Sequence, residues 1–423
     1  MKRSVILILC IMLTFTSCTV ITPITSQKND DTEKSVEAFN EESDVISLND
    51  NVRAMWISQY DITLMCIKNG AQRPIDEYRS RVSIMVATLL SLGINTVFIQ
   101  ARPNGDSLYD SDIFPPSAYA SGKIGQDSAY DVFGILANEA IRAGISVHAW
   151  INPLRLMKLS ELSEIDEKYI IGRWKNDFLG TRISTVSEYC YLDPAYTEVR
   201  ELIVSGAIEL MDRYDIDGIH IDDYFYPTTA KDFDAISYEI YGNGLSVDDF
   251  RRKNINLLIS ELHEATRARG LIFGVSPGGN MVRNYNELYA DVEKWCESGS
   301  IDYLCPQIYF GLLHETFPFE KTAREFSLMC AENGIDLIIG MTLEKAQNGY
   351  NGVADAYAGS GKNEWIDNKD VLARCAETVF SLDCKGIAFF SYRLFFSPSD
   401  RSENEATKEE RESLASIMNW VIY

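Results

Sequence analysis

The stretch DGIHIDDYFYP, residues 217–227, decides the fold. Across Gly218-Ile219-His220-Ile221-Asp222, apolar and polar side chains alternate with the period of a β-strand. In a closed barrel wrapped by helices, one set of alternate residues meets the helices and is apolar, while the other meets the axis. Ile219 and Ile221 belong to the first set. Gly218, His220, Asp222 and Tyr224 therefore turn inward, Asp222 at the strand end.

The same rhythm extends outward from this strand in both directions. Short β-rich apolar segments fall at 53–58, 96–102, 145–152, 218–224, 272–277, 303–310, 337–343 and 386–392. Amphipathic stretches at 76–92, 131–143, 195–214, 248–269, 287–297, 316–332, 369–382 and 407–421 alternate with them. This α/β pattern predicts a (β/α)8 TIM barrel. A doubly wound open sheet is the alternative, but no Gly-rich phosphate turn follows the first strand.

Alternation assigns the other inward positions. They are Trp56 and Ser58 on the first strand, Phe98, Gln100 and Arg102 on the second, and His148, Trp150 and Asn152 on the third. Ser276 follows on the fifth, with Gln307 and Tyr309 on the sixth. Barrel enzymes place their sites at the C-terminal strand ends. A barrel filled only for packing would carry Val, Ile and Leu there. This one carries aromatics and hydrogen-bonding groups, which predicts an open site.

Aromatic faces pack on the C–H faces of pyranose rings, and polar groups bind their hydroxyls. The expected substrate-binding set is Trp56, Gln100, Arg102, His148, Trp150, Asn152, His220, Tyr224, Ser276, Asn280, Gln307 and Tyr309. Glycosidic cleavage normally takes two carboxyl groups, one a nucleophile or base and the other a proton donor. Asp222 suits the first role, with Arg102 across the barrel to hold it ionised; the plainer alternative is an Asp that caps the strand-to-loop turn. Asp223 points away if the strand runs on and enters the pocket if it ends. Strand five closes on Ser276-Pro277-Gly278-Gly279-Asn280 without an acid, so Asp106, Asp110 and Glu344 are the acids available as donor. His148 and His220 either fill barrel layers or join Asp222 in a zinc-type site. The layer-filling role leaves no metal and no cofactor in the expected site. The Gly-rich tract 348–362 could cover the site as a flap or merely connect.

The 423 residues carry a formal net charge of −23, which argues against nucleic acid or anionic lipid headgroups as partner. At the start, Lys2 and Arg3 precede an apolar run, 5–15, and then Thr16-Ser17-Cys18. This predicts a lipoprotein signal over 1–18 with lipid on Cys18, and hence an extracytoplasmic, membrane-anchored location. An ordinary secretory signal is the alternative, since the run is too short to span a bilayer. Residues 19–50 read as a flexible linker and 51–423 as the barrel. Of nine cysteines, seven follow Cys18, dispersed and without a CxxC pair, and are expected as buried free thiols.

The blocks RAMWIS (53–58), FIQARPNGDSLYDS (98–111), HAWINPLR (148–155), YLDPAYTEVR (191–200), DGIHIDDYFYP (217–227), FGVSPGGN (273–280) and DYLCPQIY (302–309) resemble, in order and spacing, the bacterial glycosyl hydrolase-like 10 family of (β/α)8 barrels. The resemblance implies hydrolysis of glycan strands, in some members those of peptidoglycan. DGIHIDD is also similar to the strand-four DGxRxD signature of α-amylase-like barrels, whose final Asp, the nucleophile, falls on Asp222. His220 then stands where that signature has Arg, and the strand-five Glu of those enzymes has no match. The leading expectation is an extracytoplasmic glycoside hydrolase acting on a polysaccharide or cell-wall glycan. A carbohydrate-binding lipoprotein without chemistry is the second, and a metal-dependent deacetylase the third.

Overall fold

A computed structural model describes residue 48 and residues 50–176 and 182–418. The expected signal with Cys18, and the 19–50 linker apart from Leu48 and Asp50, lie outside the described residues. Eight parallel strands close a barrel among those described. They are β1 (Val52–Ile57), β2 (Thr96–Arg102), β3 (Ser146–Ile151), β4 (Gly218–Ile221), β5 (Ile272–Val275), β6 (Tyr303–Leu304), β7 (Asp336–Thr342) and β8 (Gly386–Phe390). Each pairs with the next, and β8 returns to β1. Helices such as Ile75–Ser91, Thr197–Arg213 and Val247–Arg267 separate the strands, as a right-handed parallel crossover requires.

The alternation sorts as expected. Met55, Ile57, Val97, Ile99, Val147, Ala149, Ile219 and Ile221 are buried in the main core with the helices. Ala54, Trp56, Phe98, Trp150, Tyr303 and Cys305 form a separate cluster inside the ring. A one-residue slip of β4 would exchange its isoleucines for His220 and Asp222. Each buried Ile contributes about 1.5–3 kcal/mol, and a carboxylate among helices would be unpaired, so the register is strongly fixed. Inside the ring, Gly274 lets Tyr303 cross the axis: a Cβ there would stand 1.9 Å from the Tyr303 ring.

Several boundaries differ from the sequence expectation. The sixth strand stops at Leu304 because Pro306 has no N–H to donate, and Gln307 makes only single bridges to Gly278 and Gly340. The fourth stops at Ile221, where the Asp222 side chain accepts the Tyr224 N–H at 3.1 Å and turns the chain. The helix expected at 287–297 is shorter, Val292–Glu297, and a separate helix, Met281–Asn286, precedes it. Tyr289 separates them with φ +56°, and the Asp291 side chain starts the second. After β3 an antiparallel sheet of Arg155–Lys158, Ile183–Val186 and Tyr189–Leu192 stands in a segment to which the sequence pattern assigned no element. The tract 348–362 holds the end of helix Glu344–Tyr350 and a 3-10 turn at Gly359–Gly361, with the Ser360 N–H on Glu315. Six of the seven described cysteines are buried, and all seven are free.

Candidate active site

A cavity of about 280 Å³ opens at the C-terminal end of the barrel over Asp222. Trp56, Trp150, Tyr309 and Phe390 wall it, with Gln100, Asn152, Gln307 and Ser58 between them. Trp150 and Tyr309 stand 6.5 and 6.2 Å from the Phe390 ring, centroid to centroid. Tyr224, half exposed, and Arg155 form one rim, the guanidinium 4.9 Å over the Tyr224 ring. A larger groove of about 590 Å³ adjoins and shares Asp223, Gln307 and Tyr309 with the inner cavity. Asn280 lines this groove while capping helix Met281–Asn286.

Asp222 sits on the cavity floor, 3% exposed. Its Oδ2 accepts from Trp150 Nε1 at 3.0 Å and Asn152 Nδ2 at 2.7 Å, and its Oδ1 accepts from the Tyr224 N–H. The direction of these bonds is set from a distance. The Gln59 backbone N–H can only donate, and does so to Gln100 Oε1 at 2.9 Å. That leaves the Gln100 amide nitrogen to donate to Asn152 Oδ1 at 2.6 Å, and the Asn152 nitrogen to face Asp222. Burial and the adjacent Asp223 carboxylate push the Asp222 pKa up to about 8, against these N–H donors. Asp223 enters the cavity because β4 ends before it. Its Oδ1 accepts from Gln307 Nε2 at 3.2 Å, and burial raises its pKa while Gln307 and Arg283 oppose the rise. Two adjacent carboxyls in so dry a place retain a proton into the neutral range.

The axis beneath this floor is a hydrogen-bonded column. The Trp56 indole can only donate, so His220 Nε2 accepts at 3.2 Å. His220 Nδ1–H then donates to the Tyr303 hydroxyl at 2.8 Å, which donates to His148 Nδ1 at 3.0 Å. Burial lowers both histidine pKa values, that of His148 to about 4. His148 and His220 are thus neutral layer-filling residues below the cavity, not substrate contacts. With both His220 nitrogens engaged, the His148–His220–Asp222 metal grouping is not formed. No group of three or more His, Cys, Asp or Glu is placed to hold a metal ion among the described residues.

Other expected positions are also corrected. A register shift between Gln100 and Arg102 inserts one residue into β2 and turns Arg102 away from the mouth. Its guanidinium packs 4.7 Å over Phe114 and donates to the Pro153 carbonyl, so it does not hold Asp222 ionised. Burial lowers its pKa to about 10, opposed by Tyr109 and Asp106. Asp106 is enclosed in the loop after β2, accepting from Asn104 N–H and the Ser117 hydroxyl, and lines neither cavity. Glu344 is exposed in the first turn of helix Glu344–Tyr350 and lines neither cavity. Ser276 is fully buried beneath the floor, where its carbonyl accepts from Gln307. The cavity also gains Gln59, Tyr60, Arg155 and Phe390. Alternation along β8 could have found Phe390; nothing local marks the others.

Residues 51–357 match the family model described as Glycosyl hydrolase-like 10. The Glycosyl hydrolase YngK of Bacillus subtilis is 30% identical over 322 residues, covering 71% of this chain and 62% of that protein. The Glycosyl hydrolase DigH of Escherichia coli is 34% identical over 265 residues, covering 57% of this chain and 58% of that one. The chain thus spans about three-fifths of the length of these relatives. Among solved structures, the glycoside hydrolase domain of PgaB (BpsB) from Bordetella bronchiseptica aligns with TM-score 0.50 and 12% identity, over 80% of this chain and 93% of that one. The catalytic domain of β-amylase from Paenibacillus polymyxa aligns with TM-score 0.51 and 10% identity, over 89% and 100%. At such identities these structures bear on the fold alone.

Proposed function

The chain belongs to the glycosyl hydrolase-like 10 family, and from that premise we propose that it is a glycoside hydrolase that cleaves a polysaccharide outside the cytoplasmic membrane. The observation that carries this reading is Asp222, held by three N–H donors on the floor of an aromatic-walled cavity at the barrel mouth. Flat Trp and Tyr faces suit pyranose rings, and a carboxyl pair holding one proton supplies both a base and an acid. Asp222 is the nucleophile or base, and Asp223 the proton donor. Cell-wall glycan is the favoured substrate. A lipid on Cys18 would keep the enzyme within tether reach of the wall.

The test is release of reducing ends from peptide-free wall glycan by the wild type and by Asp222→Asn. Activity in the wild type that the variant lacks supports the reading. Equal glycan binding by both, with no release by either, would favour the second reading, a binding protein without chemistry. One observation speaks for that alternative: Asp106 and Glu344 line neither cavity. Radiolabelled palmitate that appears on the wild type and not on Cys18→Ala would support the anchor.

A further inference from the structure

Asp222 and Asp223 are the acids that line the inner cavity, and they are neighbours at the end of β4. Two protein carboxyls acting on a glycoside ordinarily flank the scissile bond, about 5–5.5 Å apart for a covalent nucleophile or about 6.5–9.5 Å apart around a water. Here both come from one side of the cavity. The rest of the lining carries no further acid: Trp56, Gln100, Trp150, Tyr309 and Phe390 are neutral, and Arg155 at the rim is basic. Other nearby acids, Glu344 close to Tyr309 among them, stand outside the inner cavity. Asp61 accepts from Ser58 and from the Arg393 N–H, and Asp355 in the outer groove pairs with Lys345 at 2.9 Å.

We infer that the nucleophile is carried by the substrate: the carbonyl oxygen of a 2-acetamido group attacks C1, Asp222 holds the acetamido N–H, and Asp223 protonates the departing oxygen. This rests on the glycoside hydrolase reading above. Trp150 and Asn152 occupy the Asp222 Oδ2, and Tyr224 takes one acceptor direction of Oδ1, which leaves the other for an N–H. Trp56, Trp150 and Phe390 beside it form an apolar corner fit for the acetamido methyl. Asp223 borders both cavities, so it reaches an oxygen that joins a sugar in the inner cavity to one in the outer groove.

In the first step the C1–O bond breaks as the carbonyl oxygen bonds C1. The leaving oxygen takes, through Asp223, the one proton that the acid pair shares, and an oxazolinium ion forms with its N–H on the Asp222 carboxylate. In the second, water attacks C1, gives a proton to Asp223, and the ring opens to restore the acetamide. One water is consumed and the anomeric configuration is retained.

The test compares peptide-free wall glycan with the same glycan after chemical N-deacetylation. It adds calorimetric binding of N-acetylglucosamine-thiazoline to the full chain. Expected are cleavage of the acetylated glycan with retention by NMR, and cleavage of the deacetylated glycan at least about 10³-fold slower. Saturable thiazoline binding should weaken about tenfold or more in Asp222→Asn. Equal cleavage of both glycans, inversion, or an Asp222 ester found by mass spectrometry would overturn the inference while leaving a glycosidase. If neither glycan is cleaved and thiazoline does not bind, both readings fall.

Discussion

Asn152 presents only its N–H to Asp222, at 2.7 Å, because its oxygen is already taken by the Gln100 amide. The orientation is inherited from the Gln59 backbone N–H at the start of helix Gln59–Cys66, just after β1. Two side-chain amides therefore transmit the polarity of a peptide bond to a carboxyl group on another strand.

Asn152→Ala removes a donor from Asp222 and strands the Gln100 N–H. Loss of about 1–3 kcal/mol at such a buried pair corresponds to a drop in kcat of roughly tenfold to a hundredfold. Steady-state kinetics on wall glycan check this. Unchanged kcat would mean that the relay does not prepare Asp222.

Asp222→Asn keeps the shape and removes a carboxyl from the proton-sharing pair, and kcat should fall by about 10²–10⁴. Stability should move the other way at neutral and alkaline pH. Burial and the Asp223 charge raise the Asp222 pKa to about 8, above an unfolded value near 3.8, so the folded pair, titrating as a unit, holds one extra proton in between. The stability this group contributes is present below about 4 and lost as pH rises toward 8. Denaturant melts across that range should slope downward for the wild type and be flatter for the variant.

The histidine column has the opposite sign. The His148 pKa is lowered to about 4 and that of His220 lies well below 6.5, so their contribution is full above about 6.5 and declines on acidification. Tyr303→Phe breaks the link between the two rings and should cost about 1–3 kcal/mol in melts. KM should stay as it is, since none of the three lines the cavity. A large KM change would place the column in contact with substrate.

Tyr224→Ala is expected to do the reverse. The ring is 46% exposed at the rim, so stability should shift by no more than about 0.5 kcal/mol. Loss of a stacking face should raise KM by roughly tenfold. A thermal shift assay beside glycan kinetics separates the two effects.

Strand periodicity made most of the barrel legible. Ile219, Ile221, Val147 and Val97 announce their outward face, which by elimination turns Trp150, Asn152 and Asp222 inward. The same rule cannot say how deep an inward residue lies, so His148 and His220 were expected among the substrate contacts although they belong to a closed layer. It also assumes an uninterrupted period of two, which the irregularity in β2 violates for Arg102. Asp106 and Glu344 sit on connections whose course depends on tertiary packing. Arg155 comes to the rim through a small sheet with no distinctive local pattern.

The extra residue in β2 reaches beyond the one side chain it displaces. With Arg102 diverted onto Phe114, the side chains that donate to Asp222 are neutral, and the Arg155 guanidinium stays at the rim over Tyr224. Bond breaking at an anomeric carbon builds positive charge on the sugar ring. An arginine at that depth would repel this charge, whereas an acid backed by dipoles attracts it. A single backbone insertion thereby keeps one positive charge away from the ring as it ionises.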